Sequence, residues 1–173
     1  MVMNLEEFIL DEEAMERISD EEVLSKHLEE GRPLQELFGF SDEVTAEFYE
    51  TAKNILEQKR FQEAINAFVF LTTINPYMSD FWVGLGMAHQ QNNQHDDAMF
   101  AYSVAFNLDG REIFPYILAA QCCMEIKDFE QALQVVEAAE QYADEHKDEK
   151  GSNQLKEDAH AAKQYVLKEQ RKG

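Results

Sequence analysis

A period of 34 residues runs through the middle of the chain and constrains its fold more than any other feature. Trp82 has Phe48 34 residues before it and Tyr116 34 residues after it. Repetition at this period predicts an array of similar structural units. Further sets of three residues recur at the same 34-residue offset. In most sets small residues match small residues and bulky residues match bulky ones. We call these sets columns, and they are Ala52, Gly86 and Ala120; Ala64, Ala98 and Ala132; Phe68, Tyr102 and Val136; Leu71, Ala105 and Ala139.

The spacing inside each unit is that of two packed amphipathic helices. A bulky ring and a small residue four positions later share one face of the first helix. The small residue lets the second helix approach, and an Ala-x-x-x-aromatic row on that helix fills the gap. Gly86 therefore occupies a close-packing position, and Gly84 merely precedes it. The third glycine of a phosphate-binding motif is missing, so a nucleotide site is disfavoured.

The residues Trp82, Leu85, Gly86, Ala98 and Tyr102 resemble the signature of the tetratricopeptide repeat (TPR). The resemblance implies an all-α helical solenoid of three helix pairs over residues 45–146, divided at 45–78, 79–112 and 113–146. Turns between paired helices are predicted at equivalent positions, and Ser41 and Ser79 are predicted N-caps. The turns are Lys59–Arg60, Asn92–Asn93 and Lys127–Asp128.

Segments that flank the repeats are also predicted from their patterns. Residues 1–19 are acidic and sparsely apolar, which predicts disorder in the absence of a partner. Residues 20–44 form an N-terminal helical segment with more apolar surface than a lone helix needs. Residues 151–173 predict a helix that caps the last repeat. The cap packs through Leu155, Ala159, Ala162, Tyr165 and Val166; the N-terminal interface with a second copy or a client consists of Val23, Leu24, Leu28, Leu34, Leu37 and Phe38.

Charge excludes several classes of partner. The chain has 35 acidic and 15 basic residues, a net charge of −20. Nucleic acids and anionic membrane surfaces would be repelled. The acidity is either a solvated surface or a means of keeping an apolar groove or client in solution. The adjacent Cys122 and Cys123, and the lack of a signal-like or membrane-spanning run, predict action in a reducing cytosol.

Residue types that carry chemistry form no catalytic constellation. His89 and His95 with Asp96–Asp97 could be imagined as a metal site, but they straddle a turn, and packed or surface histidines are favoured. Cys123 falls in an inward column and predicts a small buried residue rather than a nucleophile. The sequence therefore predicts a protein that is not an enzyme and has neither cofactor nor metal.

TPR stacks instead bind extended peptides with one face of each first helix. TPR cochaperones that bind the acidic tail of heat-shock proteins need a clamp of several Lys, Arg and Asn residues. This groove offers one lysine, Lys53, so an acidic tail is disfavoured as the client. Whether the apolar candidates bind a peptide or simply pack between helices stays open. By repeat position the candidates are Ala46, Tyr49, Lys53 and Leu56; Asp80, Val83, Met87 and Gln90; and Phe114, Ile117, Gln121 and Met124.

The whole layout resembles the class II chaperones of bacterial type III secretion, the SycD/LcrH family of TPR translocator chaperones. The resemblance is carried by Pro76–Tyr77, by residues 81–106 and by FPYILAAQCCMEIKDFEQAL at 114–133, and it points to the chlamydial branch. It implies a chaperone of the bacterial cytoplasm, often a homodimer, that holds a hydrophobic translocator or a gatekeeper (plug) protein before export. Tyr49 and Phe61 match the family's pocket positions, whereas Lys53 and Leu56 stand where aromatics are usual, which leaves room for an acidic or polar client residue near Lys53.

The predicted function is therefore binding and stabilisation of a secreted client in the concave TPR groove. The alternative is a generic TPR interaction scaffold for another peptide client. The predicted groove consists of Tyr49, Lys53, Leu56, Phe61, Val83, Met87, Gln90, Phe114, Ile117 and Gln121.

Overall fold

The fold was obtained as a computed structural model that describes residue 10 and residues 12–172. Within these residues the chain is all helical and contains no strand, so the predicted fold class is confirmed. The helices are α1 (Glu12–Ser19), α2 (Glu21–Glu29), α3 (Leu34–Leu37), α4 (Asp42–Glu57), α5 (Phe61–Ile74), α6 (Ser79–Gln91), α7 (His95–Leu108), α8 (Ile113–Glu125), α9 (Phe129–Glu145) and α10 (Ser152–Gln170).

Three helix pairs, α4–α5, α6–α7 and α8–α9, form the body of the molecule. Each second helix also packs on the first helix of the next pair, and α10 packs on α9 and α8. The predicted boundaries between units stay predictions, because the helices do not define where a repeat begins. In the part of the chain that the structure describes, no helix combines the length and apolarity that a membrane span requires.

The turn inside each pair has the same backbone conformation. Lys59, Asn93 and Lys127 lie 34 residues apart and have positive φ angles of 60°, 59° and 63°. Each residue lies in a turn predicted from the sequence, and the left-handed conformation closes the preceding helix. Ser41 caps α4 as predicted by accepting a hydrogen bond from the Val44 backbone N–H at 3.3 Å. Ser79 does not cap α6, because it is the first residue of the helix and Met78 occupies the N-cap position; the Ser79 hydroxyl donates to the Ala105 carbonyl at 3.1 Å.

The repeat columns lie in the interior. The alanines Ala64, Ala98 and Ala132 have no exposed surface, and neither do Phe68 and Tyr102. Gly86 is the predicted close approach: a Cβ there would lie 2.5 Å from Cε1 of Tyr102. Gly84 is a second close approach that the sequence reading missed, because a Cβ there would lie 2.2 Å from Cε1 of Phe68. Each glycine thus accommodates the aromatic ring of a second helix.

The N-terminal helices are folded onto the first repeat. Arg17 in α1 donates from Nε to the Leu37 carbonyl at 3.0 Å. Gln35 in α3 donates to Asp42 at 2.8 Å and accepts from the Asn75 side chain at 2.9 Å. Residues 12–19 therefore depart from the expected disorder of residues 1–19, while residues 1–9 and 11 lie outside the described residues.

Candidate functional site

The predicted groove residues of α4, α6 and α8 define one side of the stack, here named the first-helix face. Its α4 part is built around Tyr49, whose ring is half-buried and lies between two helices. The centroid of this ring is 6.1 Å from that of Phe68 and 5.5 Å from that of Phe81. Burial raises the pKa of the Tyr49 hydroxyl, with a further contribution from the negative charge of Asp80. Tyr49 is thus a fixed aromatic surface rather than a mobile side chain.

Lys53 does not present a free positive charge on this face. Its ammonium lies 2.7 Å from a carboxylate oxygen of Glu50 and 5.0 Å from the centroid of the Tyr49 ring. The hydrogen bond to Glu50 also raises the pKa of Lys53. This pairing weakens the case for an acidic client residue beside Lys53, because such a residue would compete with Glu50.

Several predicted groove residues face the interior instead. Val83 is buried, and Leu56 and Met87 pack partly against the core. The side-chain oxygen of Gln90 accepts a 2.7 Å hydrogen bond from the hydroxyl of Tyr102, which has no exposed surface. Gln90 is therefore hydrogen-bonded to a core residue, and a peptide-binding role for the α6 part of the face stays a prediction. Phe61 begins α5 and is half-buried on a second helix.

A cavity of about 420 Å³ opens between α8 and α10, and we name it the C-terminal cavity. Ile117, Gln121 and Met124 line it from α8, and Ala161 and Tyr165 line it from α10. Tyr165 is 54% exposed, so it does not belong to the packing stripe predicted for the capping helix, whereas Leu155, Ala159 and Val166 are buried there. The C-terminal helix therefore extends the first-helix face as well as covering the last repeat.

A second cavity of about 400 Å³ lies between the N-terminal ends of α6 and α8, and we name it the acidic-rim cavity. Sequence reasoning placed Asp80, Val83 and Phe114 near this position but missed its loop residues. The sequence did hold one signal for these loop residues, because Pro76–Tyr77 is part of the segment that carries the family resemblance. Four exposed apolar side chains and three carboxylates line the acidic-rim cavity: Tyr77, Met78, Leu108, Phe114, Asp80, Asp109 and Glu112.

Both thiols of the chain are buried rather than exposed to solvent. The Cys122 thiol lies 3.5 Å from Nδ1 of His95, and burial raises its pKa to about 11. Burial likewise raises the pKa of Cys123 to about 12, so both thiols stay protonated and unreactive at neutral pH. His89 faces the Gln94 side chain at 3.2 Å. In the described ranges, no group of three or more His, Cys, Asp and Glu side chains could hold a metal ion.

Sequence comparison finds relatives of known role. A family model described as anaphase-promoting complex, cyclosome, subunit 3 matches residues 75–139. The chaperone protein SicA of Salmonella typhimurium is 28% identical over 116 residues, which is 67% of this chain and 70% of SicA. The low calcium response locus protein H of Yersinia pestis is 28% identical over 103 residues, which is 59% of this chain and 61% of that protein.

Solved structures share the fold. A type III secretion complex from Aeromonas hydrophila has a TM-score of 0.70 and 22% identity, covering 87% of this chain and 99% of its own. The CopN–Scc3 complex has a TM-score of 0.62 and 27% identity, covering 75% and 74%. PcrH bound to the chaperone binding region of PopD has a TM-score of 0.61 and 22% identity, covering 78% and 98%.

The similarity in fold to these chaperones covers most of the stack of helix pairs and its flanking helices. It confirms the predicted chaperone role and the prediction that the chain is not an enzyme. The assignment to the chlamydial branch stays a prediction. These similarities confirm the resemblance to the class II chaperones of bacterial type III secretion that the sequence predicted.

Proposed function

We propose that this chain holds a secreted protein in the bacterial cytoplasm before export by binding an extended segment of that protein along the first-helix face. The client is a hydrophobic translocator subunit or a gatekeeper protein. The proposal is supported by relatives whose structures contain such partners: PcrH with the chaperone binding regions of PopD and of PopB, and SycD with a peptide of the translocator YopD.

The observation that carries the proposal is the apolar surface left open beside the core. Phe114 is 51% exposed and Tyr165 is 54% exposed, one at each of the two cavities, while Tyr49 is half-buried on α4 of the first repeat. Two or three client side chains buried there would each contribute about 2 kcal/mol. After the cost of ordering the client segment, the net affinity is on the order of micromolar. Such binding shields a client and still releases it without ATP.

Replacement of Phe114 tests the proposed face. Phe114→Ala removes an exposed aromatic side chain that the fold does not need, so binding of the client is expected to weaken about 30-fold while helicity stays unchanged. The client is first identified by mass spectrometry of the complex purified from the native bacterium. Isothermal titration then compares wild type and variant against the purified client.

The matched control is Phe100→Ala in α7. Phe100 is 63% exposed and lies on a second helix, where its ring centroid is 6.2 Å from that of Trp82. This variant is expected to bind the client as wild type does. Weakened binding by Phe100→Ala together with wild-type binding by Phe114→Ala would contradict the proposed face.

A further inference from the structure

The acidic-rim cavity combines exposed apolar side chains with negative charge, and a client segment that binds there must match both. The structure describes twelve exposed large apolar side chains, and four of them surround this one cavity: Tyr77, Met78, Leu108 and Phe114. They are 55%, 43%, 39% and 51% exposed. Clustered exposure of this kind marks an interaction surface, whereas single exposed apolar residues do not.

The rim of the same cavity carries negative charge that the chain itself does not neutralise. Asp80 and Glu112 are exposed, and neither has a cationic partner within 4.0 Å among the described residues. Asp109, in contrast, is paired with Arg111 at 3.0 Å, and this contact lowers the pKa of Asp109. The negative charge of Asp80 also helps to raise the pKa of the Tyr49 hydroxyl. The charge of Asp80 therefore acts on the Tyr49 part of the first-helix face as well as on the cavity.

We propose that the acidic-rim cavity binds a lysine or arginine of the secreted client together with an adjacent apolar side chain. The cationic head lies between Asp80 and Glu112, and the apolar neighbour packs on Met78 and Phe114. Charge complementarity selects this occupant, because an acidic or neutral segment would leave two carboxylates facing it without compensation. The rings of Tyr77 and Phe114 also offer faces to a cation.

A second copy of this chain is a poorer occupant. Each copy carries a net charge of −20, so two copies approaching through an acidic rim repel one another. The inference rests on the proposed function, since it assigns the chemistry of one subsite to the client segment. It adds a requirement for positive charge that apolar anchors alone do not impose.

Selection from a random peptide library tests this assignment. Peptides about twelve residues long, displayed on phage, can span several helices of the first-helix face in extended form. Wild-type protein is compared with the double variant Asp80→Asn/Glu112→Gln. The matched control is Glu130→Gln/Asp148→Asn, which removes two exposed carboxylates and leaves the cavity unchanged.

Wild type and control are expected to enrich peptides with Lys or Arg beside an apolar residue, and the double variant is expected to lose that preference. Anisotropy titration of one enriched peptide is expected to show about five- to tenfold weaker binding to the double variant, with a smaller dependence on salt.

Enriched peptides that are apolar without a basic residue, or equal enrichment by the double variant, would overturn the inference and leave the proposed function standing. A change in the mass of the free protein in the double variant, with peptide selection unaffected, would reassign the cavity to self-association. Absence of any enriched peptide that competes with the client would count against both the inference and the proposed function.

Discussion

Gly84 and Gly86 show how single residues set the distance between helices in this fold. Both lie in the middle of α6, and each has an aromatic ring where a side chain would otherwise be. Tyr102 cannot retreat easily, because its hydroxyl is hydrogen-bonded to Gln90 and its ring is fully buried. The helix thus tolerates two glycines despite their low helix propensity, since each permits a close contact with a neighbouring helix.

Enlarging Gly86 is expected to destabilise the fold strongly. A Cβ added at this position would lie 2.5 Å from Cε1 of Tyr102, so Gly86→Leu forces a shift in the core that costs about 1–3 kcal/mol or more. The free energy of unfolding is measured by urea titration. The control is Ala138→Leu, which adds the same side chain at an exposed position of α9. An unchanged free energy of unfolding in Gly86→Leu would contradict the repeat register.

At the scale of helices, the N-terminal segment divides into an inner and an outer side. His27 and Leu37 are buried, and the Tyr77 hydroxyl donates to the Gly31 carbonyl, which fastens the segment to the loop before α6. On the outer side, Val23 is 41% exposed and Leu28 is 55% exposed. Of the six interface residues predicted from the sequence, Leu37 is therefore unavailable to a partner, whereas Val23 and Leu28 face outward.

Point variants test pairing through this segment better than a deletion does. Deletion of residues 1–40 is expected to alter the oligomeric mass if the chain pairs through this segment. The deletion also removes Gln35 and Leu37, which support the first repeat, so a loss of pairing could not be told from a loss of folding. Val23→Glu/Leu28→Glu is expected instead to convert a homodimer to a monomer, because like charges would face one another across the interface. Light scattering measures the mass. Val69→Glu, at a 45% exposed position of α5, is the control, and an equal effect of this variant would contradict pairing through α2.

At the scale of the whole molecule, an acidic surface encloses a core whose buried tyrosine hydroxyls and thiols are stable only in their protonated, uncharged form. The second and third repeats share a core cluster that contains Tyr102, Tyr116, Cys122 and Cys123. Burial raises the pKa of all four groups, to about 12 for Tyr116 and well above the usual range for Tyr102. Neighbouring charges from the acidic surface, such as Glu125, add to the effect.

Stability is therefore expected to fall in alkaline solution. The unfolded thiols ionise near pH 8.5, whereas the folded thiols keep their protons until about 11 and 12. Between these values the unfolded state binds fewer protons, so the free energy of unfolding decreases as pH rises. Urea titrations at several pH values measure this slope. The variant Cys122→Ala/Cys123→Ala is expected to have a shallower slope, and a slope equal to that of wild type would show that the thiols contribute nothing.

The sequence by itself determined the helix pairs, their turns and the buried columns. Residues 34 apart occupy equivalent positions in successive units, so Lys59, Asn93 and Lys127 share one turn geometry, and Ala64, Ala98 and Ala132 share one depth of burial. These features follow from spacing along single helices and between neighbouring helices. Periodicity records such spacing directly.

Only the tertiary structure decided which side chains remain open to a partner. Gly84 meets Phe68 from the preceding unit, Gln90 is used by Tyr102, and Tyr165 of the capping helix lies beside a cavity rather than in the core. The acidic-rim cavity likewise joins loop residues to the ends of α6 and α8. Such contacts depend on the crossing angles between neighbouring helices, both within a pair and between successive pairs. A period of 34 does not specify those angles, because they result from how bulky and small side chains fit together across units.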